Sequence, residues 1–240
     1  MATNRYLENE AIAISQDRVL KTSHIHKFGA VPAMSQGSTG TIWDVNDTYY
    51  PWGVFDSDTT QLVVTAANGA DSGELVLLVG LDTNYEELTE NVVATTAGTT
   101  TSNVFKRINR AFITGTSETH VGNINITKNG INVARITAGK SQALMAVYTV
   151  PAGKTGYLEQ GTASIQAGAD ATGDIFARYN GTGPFTVAHT FEVSGTGGQY
   201  LYNFTVPQKL PAKTDIDIRA TVRSNNARMT SSIDVILIDE

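Results

Sequence analysis

Residues 144–159 read LMAVYTVPAGKTGYLE, and this stretch indicates the fold class of the whole chain. Residues 144–150 alternate in the manner of a β-strand. Pro151 and Gly153 then mark a turn, because proline presets φ for the first corner and glycine takes positive φ without steric cost. Residues 155–158 begin another strand. We therefore predict a β-hairpin here, in a chain that has little helical pattern.

The same alternation of short strands and turns recurs along the chain, at intervals of roughly eight to twelve residues. Asn129-Gly130 lies between the alternating segments 121–128 and 131–137. It is a strong hairpin signal, because a type I′ turn needs positive φ at both central residues. Later strands are predicted at 174–180, 187–193, 199–206, 215–224 and 231–238. The nearly continuous apolar run at 233–238 indicates a central strand covered on both faces.

In the first half of the chain, residues 60–65, 74–79 and 86–95 predict a small antiparallel meander. Residues 102–113 (SNVFKRINRAFI) show both helical and strand spacing, and we favour a strand with a bulge. The fold class is therefore all-β: an antiparallel β-sandwich, jelly-roll-like, possibly of two β domains, with an extended N-terminal arm. The predicted division is an arm at 1–30, a first domain at 31–137 and a second at 138–240.

Composition and charge exclude several classes of site. The 240 residues carry a net charge of -6 and no cysteine. The acidic balance argues against a partner nucleic acid, which would require a basic face. Without cysteine there are no disulfides, zinc–thiolate sites or thiol nucleophiles. We expect no membrane partner, since no stretch is apolar enough to span a bilayer, and the N-terminal sequence lacks the pattern of a secretory signal.

No pattern in the sequence predicts catalysis, a metal or a cofactor. His24 and His26 form a His-x-His pair that needs a third ligand from elsewhere to hold a metal, and a structural role is favoured. Asp215 and Asp217 alternate on one strand and point the same way, as a glycosidase pair or ordinary carboxylates would. We favour ordinary carboxylates, and we expect no enzyme.

Two segments contain candidates for contacts with other subunits. The segment 1–30 is either a partly ordered terminus, an edge strand or an arm that docks on a neighbour. The aromatic residues of 43–52 either plug the end of the sandwich, form a contact patch, or stack on sugars. The interface candidates are Ile12, Ile14, Val19, Leu20, Ile25, Phe28, Trp43, Tyr49, Tyr50 and Trp52.

Six segments cover most of the chain after residue 27: IWDVNDTYYPW at 42–52, VGLDTNYEELTENV at 79–92, FKRINRAFIT at 105–114, VGNINI at 121–126, ALMAVYTVPAGKTGYL at 143–158 and TDIDIRATVRSNNAR at 214–228. These segments resemble motifs of virion structural proteins of tailed bacteriophages, many of them from marine and cyanobacterial phages. The resemblance implies an oligomeric particle component of β-sandwich type, without a catalytic motif that can be transferred.

From these observations we expect a non-enzymatic homo-oligomer, with a trimer favoured, that decorates or cements the exterior of a phage capsid. Its expected partners are itself and other phage structural proteins such as the major capsid protein, in a virion made in the host cytoplasm. A tail, baseplate or connector role is the first alternative. A carbohydrate-binding module for a host receptor is the second, and a depolymerase has the weakest support.

Overall fold

The computed structural model describes residues 10–56, 59–115, 120–196 and 198–240. The first nine residues of the predicted arm therefore lie outside the described part. Two short α-helices, two 3-10 turns (Gly69–Asp71 and Tyr179–Gly181) and sixteen strands make up the described elements. In chain order the helices and strands are α1 (Glu10–Ser15), β1 (Thr22–Met34), β2 (Thr39–Thr41), α2 (Trp52–Asp56), β3 (Val63–Ala66), β4 (Leu75–Leu81), β5 (Glu87–Val93), β6 (Thr99–Thr100), β7 (Arg107–Ile113), β8 (Ile124–Lys128), β9 (Ile131–Ile136), β10 (Val147–Thr149), β11 (Lys154–Ile165), β12 (Asp170–Arg178), β13 (Thr186–Val193), β14 (Gln199–Leu210), β15 (Asp215–Ser224) and β16 (Ala227–Asp239).

The chain is all-β, and the strand pairs of its four sheets are antiparallel. Sheet I has the order β1-β16-β11-β14, and sheet II has the order β10-β15-β12-β13 with β2 also paired to β15. Sheet III has the order β6-β3-β8-β9, and sheet IV the order β5-β4-β7. The fold therefore confirms the all-β class that the turn spacing predicts.

Sheets I and II enclose the first hydrophobic core. Strand β15 shows why, because Ile216, Ile218, Ala220 and Val222 alternate along it and all four are buried in this core. Alternate residues of a strand point to opposite faces, so the sequence pattern places one apolar face inward. Sheets III and IV supply most of the second core, to which Trp43 and other residues up to position 147 contribute.

Residues 144–150 form a wall shared by the two cores. Ala146, Tyr148 and Val150 are buried in the first core, whereas Met145 and Val147 are buried in the second. The stretch whose alternation predicts a strand therefore packs on both of its faces.

The cores do not separate at 137/138, where the sequence suggests a domain boundary. Val31, Met34 and Ile42 are buried in the first core together with residues from 146 onward. The second core is built from residues within 43–147. The chain thus contributes residues to the first core, then to the second core, and then to the first core again. We call the parts of the chain that build the first and the second core the first and the second unit. Whether they are two domains stays a prediction.

The predicted N-terminal arm needs correction. Strand β1 pairs with β16 from Thr22↔Ile238 to Met34↔Ala227, so it is part of the chain's own sheet I. The physical reason is that β16 pairs with β11 on one side only, which leaves backbone N–H and C=O groups on its other side. Strand β1 pairs with these groups along almost the whole length of β16. The edge-strand alternative, which the sequence left open, describes residues 22–34.

Two predicted pairings are wrong. The turn at Pro151 does not close a hairpin, because β10 pairs with β15 while β11 pairs with β14 and β16, so the chain crosses between sheets there. Likewise β3 and β4 belong to different sheets, and only β4 and β5 pair directly as predicted. Local alternation identifies strands, but it does not determine which strands become neighbours.

Other predictions are confirmed. Asn129 and Gly130 have φ values of 49° and 74° and join β8 to β9 in the predicted hairpin. Strand β7 carries the predicted bulge, since its register against β4 shifts between Val79 and Gly80. Strand β16 is central in sheet I, although Asp234 and Ile236 on its other face are only partly buried.

Candidate functional sites: the buried junction and the exposed β14 edge

The outer face of β15 forms a buried, charged junction between the two cores. Asp215, Asp217 and Arg219 alternate with the isoleucines of the first core, and both aspartate side chains are fully buried. The face they occupy is covered by Arg107 and Trp52 of the second unit and by Arg178 of β12. Carboxylates are buried only when they are paired or hydrogen-bonded, and these two are.

Asp215 is the centre of this junction. Arg107 approaches it with Nε 2.8 Å from Oδ1 and Nη2 3.0 Å from Oδ2. Arg178 places Nε 2.8 Å and Nη2 2.6 Å from Oδ2, and the Thr149 hydroxyl donates to Oδ1 at 2.6 Å. Asp56 completes the network, 2.9 Å from Arg107 and 2.8 Å from Arg178. Two arginines and two aspartates thus balance in charge.

The electrostatics of Arg107 follow from this arrangement. Burial alone would lower the pKa of its guanidinium, but the hydrogen bonds and the charge of Asp215 outweigh that effect and raise the pKa. A forked guanidinium suits a carboxylate with two parallel hydrogen bonds. Arg107 is therefore a permanent cation fixed in place.

Asp217 binds a second set of partners one step along the strand. Its Oδ2 accepts from Trp52 Nε1 at 3.0 Å and from Arg219 Nε at 2.8 Å, and its Oδ1 accepts from the Thr41 hydroxyl at 2.8 Å. Burial raises the pKa of Asp217, although Arg219 and the hydrogen bonds from Trp52 and Thr41 oppose the shift. Both carboxylates that the sequence offered as a glycosidase pair are thus held by protein donors.

Aromatic rings alternate with the three guanidiniums of the junction. The Cζ atom of each arginine lies 4.6 to 5.5 Å from the centroids of two of these rings, which is within the range of cation–π attraction. The resulting row is Tyr49, Arg219, Phe185, Arg178, Trp52, Arg107 and Tyr85. The junction is therefore a packed layer of charge and aromatic surface.

Lys27 makes another buried contact between the two units. Its Nζ donates to the backbone oxygen of Asn109, whose side-chain amide binds the backbone of Thr149. Burial, with the nearby positive charge of Arg110, lowers the pKa of Lys27 to about 7, while Asp44 opposes the shift. Burial also raises the pKa of Asp44 to about 6.

The aromatic stretch is mostly core, which corrects three interface candidates. Trp43, Tyr50 and Trp52 are buried, with the ring of Tyr50 5.2 Å from Trp43 and 4.7 Å from Trp52. These side chains offer no surface to a neighbour or a sugar. The plug interpretation describes them, because they fill the second core next to the junction. Tyr49 alone of the four is exposed.

The interface candidates in the N-terminal segment differ in their exposure to solvent. Ile14 is buried, and Ile25 packs against the first core. Val19 and Phe28 are half-buried. Only Ile12 and Leu20 are exposed. The residues on β1 serve their own sheet, so the arm hypothesis loses most of its support.

The structure brings a carboxylate to the His-x-His pair. Asp234 Oδ1 lies 3.0 Å from His24 Nε2 and 2.8 Å from His26 Nδ1. Among the residues that the structure describes, no group of three or more His, Cys, Asp or Glu side chains has the arrangement of a metal site. The pair instead links β1 to β16.

Strand β14 is an edge that the sequence reasoning did not single out. Within the described part of the chain it pairs only with β11, and its Leu201, Tyr202 and Val206 are exposed, as is Val187 on β13. We call these four residues the β14 edge. Residues 199–208 (QYLYNFTVPQ) contain no charged side chain and alternate aromatic with other residues, which is a pattern that a central strand would show equally.

No protein-family model matches the chain, and no curated protein matches it. None of the helices in the described ranges is long and apolar enough to cross a membrane.

Proposed function

We propose that the chain is a non-enzymatic structural component of a tailed-phage virion, homo-oligomeric, and in the first instance a decoration or cement protein on the capsid exterior. Sheets I and II would form a β-sandwich, and we expect the order of its strands to be jelly-roll-like. The unit with the second core would be fixed rigidly to that sandwich. Other phage structural proteins, such as the major capsid protein, would be its partners.

One observation carries the proposal: the motifs that resemble phage virion proteins meet at the buried junction. Arg107 comes from FKRINRAFIT, Thr149 from the YTVPAGK motif, and Asp215 from TDIDIRATVR. Trp52 and Tyr85, from two further motifs, stack on Arg107. The residues that carry the resemblance thus hold two cores together, which is a structural task.

The chemistry of the junction supports the same proposal. A catalytic carboxylate must reach substrate, whereas Asp215 and Asp217 are enclosed and accept hydrogen bonds from six protein side chains. A rigid body with few free internal charges suits a particle component. The carbohydrate-binding alternative has lost its main support, since three of its four aromatic residues are buried.

The test is immunogold labelling of purified particles that the same genome encodes, with an antiserum raised against the chain. Label on the head is the expected result. Label on the tail, baseplate or connector would replace the decoration role by the alternative structural role. Particles without label, checked against a positive control for the major capsid protein, would overturn the virion proposal.

A further inference from the structure

Strand β14 has the features of a surface that is covered in an assembly. Val206 is 80 % exposed, and Leu201 and Val187 are each 55 % exposed. Isolated exposed aliphatic residues are ordinary, but here Leu201 and Val206 lie on the edge strand of sheet I, and Val187 lies on β13, the edge strand of sheet II, which contacts β14. An uncovered edge strand also presents unpaired N–H and C=O groups that can pair with another chain.

The register of β14 makes its middle protrude. Leu158 of β11 pairs with Gln208, and Gln160 pairs with Asn203, so residues 204–207 lie opposite Glu159 alone. Four residues cannot all pair opposite one, so part of this segment leaves the ladder. Val206 lies in this segment, which accounts for its high exposure, whereas Phe204 packs against the first core and Pro207 is half-buried.

Behind the β14 edge the side chains are packed, so the edge is held firmly. Tyr200 and Phe204 pack against the first core, and His189 lies 4.3 Å from the ring of Tyr202. The Tyr200 hydroxyl lies 2.5 Å from His189 Nε2. An interface gains affinity when its contact residues are already ordered, because less conformational entropy is lost on binding.

We propose that a second copy of this chain covers the β14 edge, with Leu201 and Val206 at the contact. The argument for a second copy is charge. The whole chain carries a net charge of -6, so two copies repel over most of their surfaces, whereas residues 199–208 carry no charge at all. Two copies can therefore meet there without like-charge repulsion, and tyrosine is enriched at such contacts.

This inference rests on the proposed homo-oligomer and assigns its contact surface. The contact between copies is assigned to β13 and β14 instead of to the N-terminal segment and the aromatic stretch that the sequence suggests. The contact with any other particle protein is then left to different surfaces.

The test uses the absence of cysteine from the chain. Leu201→Cys and Val206→Cys are each labelled with a maleimide in dilute and in concentrated solution, with Ile131→Cys as the control. Ile131 is also an exposed aliphatic residue on a strand, but it belongs to sheet III. All three side chains are exposed, so the substitutions leave the cores intact.

We expect labelling at positions 201 and 206 to slow at least tenfold as the oligomer forms, while labelling at 131 keeps its rate. If all three sites label at the same rate in a solution that light scattering shows to be oligomeric, the surface assignment is wrong and the homo-oligomer stands. If the chain is monomeric at every concentration, the assignment and the homo-oligomer both fail.

Discussion

Arg107 and Asp215 form a two-point ion pair, with 2.8 Å and 3.0 Å between their paired atoms, although 108 residues separate them in the chain. Arg107 begins β7 of sheet IV, and Asp215 begins β15 of sheet II. The pair therefore connects the two hydrophobic cores directly. Because Arg178 and Asp56 complete it, the pair is also the centre of a charge-balanced network.

Removing Arg107 should be costly. In Arg107→Leu, Asp215 loses one of its two cationic partners while its side chain is fully buried, and we expect the free energy of unfolding to fall by about 3–5 kcal/mol. The measurement is urea unfolding. The matched control is Arg223→Leu on β15, where the side chain is exposed and the expected change is within about 0.5 kcal/mol. Equal losses in the two variants would contradict a junction held by Arg107.

Stability should depend on pH through Lys27. The folded chain releases this proton near pH 7, and the unfolded chain near the ordinary pKa of 10.5. The unfolded state thus binds more protons between those values, so the free energy of unfolding rises with pH in that window. Lys27→Met should raise stability below pH 7 by up to about 5 kcal/mol, and this gain should vanish near pH 10.5.

The check is a set of urea titrations from pH 6 to 10.5, with the exposed Lys140→Met as the control. Asp44 acts in a separate window, from about 4 to about 6, where its raised pKa makes stability fall as pH rises. A Lys27→Met gain that is the same at pH 6 and pH 10.5 would rule out a titrating lysine as its cause.

Gly29 should tolerate no side chain. A Cβ at this position would lie 2.3 Å from both the Ala146 nitrogen and the Ile42 oxygen, which are backbone atoms. Gly29→Ala should therefore lower the unfolding temperature by several degrees, because β1 must move away from its neighbours. Gly53→Ala is the control, since a Cβ there meets nothing within 4 Å. Thermal unfolding that is equal in the two variants would refute the close approach.

Deleting residues 1–26 should weaken the fold rather than the assembly. The truncation removes the pairs from Thr22↔Ile238 to His26↔Asp234, together with α1. We expect a lower unfolding temperature and an unchanged number of subunits. A truncated chain that is as stable as the full one but monomeric would restore the arm hypothesis.

The sequence predicts the strands well because strand formation here is a local property. The alternation at 215–224 gives β15 with its correct bounds, and Asn129-Gly130 gives its hairpin. The pairings are poorly predicted because they depend on contacts distant in sequence. The turn at Pro151 is chemically suited to a hairpin, yet the partner of β10 is β15, whose Ile216 continues the first core.

The junction is only partly readable from the sequence. The alternation of Asp215 and Asp217 shows that they share a face, but it cannot show that Arg107 and Arg178 reach that face from other strands. The aromatic stretch was ambiguous for the same reason, since Trp52 is suited equally to a core and to a contact surface. The β14 edge was missed because an uncharged alternating strand looks the same whether it is central or at an edge.

The most direct test of the account is the molar mass of the full chain by light scattering over a range of concentrations. The account predicts at least twice the 25.6 kDa chain mass, because the β14 edges of two copies meet, and a fall toward one copy in the double variant Leu201→Asp, Val206→Asp. A mass of 25.6 kDa for the unaltered chain at every concentration would contradict it.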